Sequence, residues 1–145
     1  MKNPIRQILP ILLLLGIVPS LAMAEEGIVE IKEKMFLTQI NDIYYNYDDY
    51  KDKKIVVEGM FALFESADGK SRSPVVFRYG PGCCSNDGWG GFLLDYKDNQ
   101  PATKDWIRVV GTPEIRDSTL GLPELYLKVE TLEVKTKRGL ELVKQ

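Results

Sequence analysis

Apolar side chains at 36, 40, 43, 44 and 47 recur with the spacing of one helical face, which predicts an amphipathic helix over 35–47. Asn41, Asp42 and Asn46 fall off that stripe, so it reads as a core-facing surface. The polar run 48–53 follows as a solvated loop. From Lys54 the period changes. Residues 54–64 are rich in β-branched and aromatic side chains and predict a strand, in which Gly59 marks a bulge or bend. Further strands are expected over 74–79, 89–96, 106–111 and 125–134. Between them lie the polar segment 66–73, a Gly80-Pro81-Gly82 turn, the polar connection 97–104 and the breakers Gly121 and Pro123. The charged tail 135–145 holds Leu140, Leu142 and Val143 in what reads as a short helix.

One helix followed by five short strands predicts a mainly β (α+β) domain: a small five-stranded OB-like antiparallel barrel preceded by one amphipathic helix. The glycine-bent first strand favours the barrel, because one strand must pair around a corner; a sandwich is the alternative. Phe36, Ile40, Ile43, Val57, Phe61, Leu93, Ile107, Val109, Leu127 and Val129 lie on consistent faces and form the expected core. No internal repeat or second domain interrupts 25–145.

The N-terminus reads differently. Lys2 and Arg6 precede an almost continuously aliphatic run over 8–18, Pro19 and Ser20 break it, and Ala22-Met23-Ala24 puts small residues before Glu25. This is the three-part pattern of a secretory signal peptide over 1–24, with cleavage after Ala24. The run is shorter than the ~20 apolar residues that span a bilayer comfortably, and no later stretch could cross one. The mature chain is therefore expected to be periplasmic or secreted, not membrane-spanning, and in a compartment that permits disulfides.

Composition narrows the chemistry. Of 145 residues, 19 are basic and 21 acidic, and Lys2 and Arg6 are the only charged residues before Glu25. The remainder is net acidic, which argues against a nucleic-acid partner. The chain has no histidine. That excludes Ser-His-Asp and Cys-His nucleophile pairs and any His-ligated metal.

Two cysteines remain, adjacent at Cys83 and Cys84 in the segment Arg78-Tyr79-Gly80-Pro81-Gly82-Cys83-Cys84-Ser85-Asn86-Asp87. Three readings are open. A vicinal disulfide is strained, because adjacent Cα atoms sit ~3.8 Å apart, closer than ordinary disulfides hold them, so it is easily reduced. A soft metal ion needs both thiolates on one side, with Asp87 as the nearest oxygen donor. Plain packing in a tight turn is the third. Arg78 could depress a thiol pKa as electrostatic support, or it could close the loop by pairing with Asp87. Trp89, flanked by Gly88, Gly90 and Gly91, is a pocket candidate beside the thiols, or else barrel packing.

The spacing Arg78, Cys83-Cys84, Asp87 resembles a bacterial family, the uncharacterised small subunits of two-subunit permeases, whose soluble domain carries a Cys-Cys-x-x-Asp signature. The resemblance runs from Val29-Glu30-Ile31 through the helix, the strand Ile55-Val56-Val57-Glu58-Gly59-Met60-Phe61, the segment Gly91-Phe92-Leu93-Leu94 and Trp106-Ile107-Arg108-Val109-Val110-Gly111 to Leu132. It implies an OB-like domain and an association with membrane transport. Two departures stand out. Family members carry membrane-spanning helices before the domain, where this chain has a signal-peptide pattern. Gly80-Pro81-Gly82 and Ser85-Asn86 replace more apolar residues around the cysteines.

The expected function is an exported, non-catalytic binding or accessory module, partnered by a membrane permease or another envelope protein. Its Cys83–Cys84 site would serve redox chemistry or a soft metal ion. Two other functions compete: a thiol–disulfide oxidoreductase using the same pair, and a purely structural docking domain.

Overall fold

The computed structural model describes residues 27–66, 69–82 and 85–144, with the backbone alone at 82 and 85–87. The predicted signal segment lies outside the described residues. The amphipathic stripe forms helix α1 (Phe36–Tyr45), which a 3-10 turn at Glu33–Met35 precedes and another at Tyr47–Asp49 follows. Gln39 helps to fix the helix entry, its Oε1 accepting the Lys32 N–H at 2.7 Å. Phe36, Ile40 and Ile43 are buried, as the spacing requires. Burying each stabilises the fold by about 1.5–3 kcal/mol.

Six strands follow the alternating segments: β1 (Ile28–Glu30), β2 (Lys54–Glu65), β3 (Arg72–Gly82), β4 (Ser85–Asp95), β5 (Trp106–Asp117) and β6 (Pro123–Val134). Their order is β1-β2-β3-β4-β6-β5, and a further β2–β5 pairing joins the ends of the five longer strands. The closure depends on β2. Its first half, Ile55–Met60, pairs with β5, while Met60–Glu65 pairs with β3. Gly59 sits where the partner changes. A Cβ there would lie 2.7 Å from the Phe77 carbonyl oxygen, so the bend needs glycine.

The mainly β architecture with one helix is as the pattern predicts, but it is not all antiparallel. β1 pairs with β2 in parallel, and β4 with β6 in parallel over Leu93–Asp95. β1 was not expected, because three residues are too few for alternation to register. Eight of the ten expected core residues are buried; Leu93 and Val129 are only half-buried. Leu93 instead packs on a second apolar cluster, with Met60, Ala62, Val75, Phe77 and Trp106, on the opposite face of the sheet from Phe61 and Val76.

Two further expectations are corrected. Gly80-Pro81-Gly82 does not end the ladder: β3 continues through it, with Gly80 opposite Gly88 and Gly82 opposite Ser85. Pro81 is accommodated because the register shifts between Gly80 and Gly82, a bulge being where a strand tolerates a missing donor. The tail does not form a helix. It runs extended beside β3, with Tyr79 N–H donating to the Glu141 carbonyl at 2.8 Å and Val143 N–H to the Tyr79 carbonyl at 2.9 Å. Past Phe77 that edge of β3 is the one β2 has left, and the buried Val143 side chain fastens the tail there.

Candidate functional site

The β3–β4 hairpin projects beyond the β2–β3 pairing and carries every candidate residue. α1 braces it through Leu37, which lies so close to Gly80 and Gly90 that a Cβ at either glycine would collide with the leucine side chain. Cys83 and Cys84 lie outside the described residues, between the paired positions Gly82 and Ser85. Asp87 falls on β4, where only the backbone is described. Among the described residues no group of three His, Cys, Asp or Glu side chains is placed to hold a metal ion.

Arg78 is held inside the fold. It is 3 % exposed, and among the described residues its ionic partner is Glu33, 3.2 Å from Nη1. Nε donates to the Glu58 carbonyl at 2.8 Å and Nη1 to the Leu140 carbonyl at 3.1 Å. The guanidinium stacks between Phe36 and Trp106, 4.9 and 4.7 Å from the ring centres. Burial pulls its pKa down, and Glu33 opposes that shift. Glu33 also accepts the Leu140 N–H. Arg78 therefore ties the helix entry, β2, β5 and the tail together. Buried cations persist where partners saturate their donors.

Trp89 is the sequence-predicted residue that reaches an open site. Its indole is 51 % exposed and meets Phe64 edge-on at 4.6 Å, while Phe77 lies 6.4 Å away and bridges to Tyr79 at 5.3 Å. These rings cover one outer face of the β2–β3–β4 sheet. Beside them opens a groove of about 570 Å³ between β4 and the β5–β6 turn, with Phe64, Trp89, Leu93, Leu120, Leu122 and Leu125 among its apolar walls. Ser66, Ser71, Ser73, Ser118 and Thr119 supply hydroxyls, and Glu65, Asp117 and Glu124 supply carboxylates.

The groove exists because β4 and β6 part company. They pair only at Leu93–Asp95, so the earlier residues of both strands diverge. The far wall is a constructed turn: Ser118 N–H donates to the Leu122 carbonyl at 2.8 Å and Gly121 N–H to the Ser118 carbonyl at 2.9 Å. Gly121 has a φ of 71°, in the left-handed region open to glycine. With its backbone bonded inward, the turn leaves Leu120 and Leu122 63 % and 62 % exposed. Charge near the groove is arranged as well. Arg116 is held by Asp95 at 2.8 Å and Glu114 at 2.7 Å and stacks on Tyr126, a groove residue. Hydrogen bonding to Arg116 lowers both carboxylate pKa values. Burial, with the Glu124 charge, raises that of the Tyr126 phenol.

The sequence pattern points to Trp89 but not to the loop leucines and carboxylates. The available signal was a pair of leucines around a turn glycine, where polar residues are the rule. Comparison with curated proteins and with solved structures found no match. A family model does match, over residues 19–137, and the chain belongs to the DUF1980 C-terminal domain family.

Proposed function

We propose that this chain is an exported, non-catalytic binding module that serves as an accessory to a membrane permease or another envelope protein. The observation that carries the binding role is the groove at Trp89, where an exposed indole, two outward leucines and a set of hydroxyls and carboxylates converge. Ligand sites combine an apolar wall with a few placed polar groups in this way. Among the described residues no helix is long and apolar enough to cross a membrane. Association with transport therefore rests on docking, and its support is the family resemblance.

Cys83 and Cys84 form the second element of the proposal, as a soft-metal or redox site with Asp87 as the nearest added donor. Cys84 precedes Trp89 by five positions in the sequence.

Fluorescence tests the groove. The chain has two tryptophans, and Trp106 is only 1 % exposed, so solvent-sensitive emission reports Trp89. Ligands titrated singly, from short peptides to oligosaccharides, should include a class that shifts this emission, and Trp89→Phe should abolish the shift. If no class perturbs it, the groove is not a binding site. For the thiols, Cu(I) should bind in stoichiometric amount and be lost in Cys83→Ser. Turnover of a disulfide substrate by the purified protein would instead establish the oxidoreductase.

A further inference from the structure

We infer that the groove receives an extended peptide segment of a partner protein, rich in basic and large apolar residues, laid along the open edge of β4. The inference deepens the binding-module reading and rests on it.

The strand edges point to an extended occupant. β3 pairs with β4 from Gly82 back to Val75, but on its other side β4 meets β6 only at Leu93–Asp95. Among the described residues no strand covers that side of β4 over 88–92. An uncovered edge presents N–H and C=O groups that an added strand can pair with. The chain covers the comparable stretch of β3 with its own tail at Tyr79. One edge of the hairpin is thus closed by the molecule itself, and the other opens into a groove.

The walls say what side chains that strand should carry. Trp89, Leu120 and Leu122 are exposed apolar groups on facing walls, and residues of an aromatic or large apolar kind anchor interfaces when desolvated. The polar part has one sign. Asp117 and Glu124 line the groove, Glu65 beside them is paired with Arg72, and no Lys or Arg is among the described residues of the lining. The two arginines nearby are already engaged: Arg72 lies 3.5 Å from Glu65, and Arg116 binds Asp95 and Glu114. A negative lining complements Lys and Arg side chains and repels acidic peptides and phosphate backbones. Along a strand, every second residue would face the groove, so the basic and the large apolar side chains should both fall at those alternate positions.

The test uses immobilised purified protein to select from a random dodecapeptide library, with the selected sequence then made synthetically. Enriched peptides should carry Lys or Arg and large apolar residues two positions apart, on one face of the strand. Trp89→Ala, Leu122→Asp and the pair Asp117→Asn with Glu124→Gln should each weaken the synthetic peptide at least tenfold. These positions are exposed or lie on the groove rim, and an unchanged circular dichroism spectrum confirms that each variant is folded. Backbone N-methylation adds a readout specific to strand addition. Methylating alternate amides in one register should abolish binding, and in the other register leave it intact, because only alternate amides face the pairing strand. The inference is overturned if no peptide is enriched, if the enriched set is not basic, or if both methylation registers bind equally. A groove that answers maltohexaose but no peptide, by Trp89 emission, would keep the binding-module reading and reject the peptide. Silence to both would reject the two together.

Discussion

Replacing Arg78 by Met keeps much of the side chain's length and apolar stem while removing its charge and all its donors. The loss can be worked from the contacts. The Glu58 and Leu140 carbonyls each lose a hydrogen bond from a charged donor, worth ~1.5–3 kcal/mol. Glu33 loses its counter-ion, but at 39 % side-chain exposure it can turn to water, so its penalty is the smaller part. Stacking on Phe36 and Trp106 is partly kept by the thioether. The two bonds together come to about 3–6 kcal/mol, which overlaps the ~3–5 kcal/mol cost of breaking a buried ion pair from one side. Urea unfolding should show the midpoint falling with the slope unchanged, since the surface exposed on unfolding is much the same. Hydrogen exchange should accelerate at Tyr79 and Val143, whose amides hold the tail. Arg78→Lys should recover only part of the loss, because an ammonium lacks the fork that reaches two carbonyls and a carboxylate. A loss below ~1 kcal/mol, or full recovery by Lys, would refute the idea that Arg78 staples the tail to the sheet.

The other expectations are more local. Gly90→Ala should cost about 1–3 kcal/mol by overpacking against Leu37, and Leu37→Ala in the same chain should relieve part of it; additive losses in a double-mutant cycle would disprove the contact. Asp95 and Glu114 have folded pKa values below their ordinary 3.8 and 4.5, so the stability they contribute is present above those values and lost as pH falls through the lowered ones. Stability measured against pH should therefore decline below about pH 4, and Arg116→Gln should shrink that acid-side decline. Intact mass of exported protein should correspond to a chain beginning at Glu25; a mass beginning at Met1 would refute cleavage. Alkylation of the same sample, read by mass, counts the free thiols at Cys83 and Cys84, and two additions would exclude the disulfide.

Periodicity alone located the helix stripe at Phe36, Ile40 and Ile43, because a side chain's face is a local consequence of backbone twist. It placed β2 to within a residue and marked Gly59 as its bend, since a glycine inside a β-branched run gives up packing and strand propensity that only a bend or a close backbone approach repays. It stopped β3 too early at Tyr79 and ended β5 at Gly111 instead of Asp117. In both cases the flanking strand supplied hydrogen bonds that outweigh poor local propensity.

What tertiary structure decided was the partnering. Arg78 is near the thiols in sequence, while the described residues that satisfy it, Glu33, Glu58 and Leu140, come from three distant segments. A buried guanidinium is settled by whichever acceptors the fold delivers, and no local pattern encodes them. The groove is of the same kind. Trp89, Asp117, Leu122 and Glu124 meet only because β4 and β6 stand apart before the three residues over which they pair. Sequence determined which residues could be strands, helix or turn, a matter of local sterics and alternation. Which side chains face one another across a gap depended on strand order and register, and those are properties of the closed sheet.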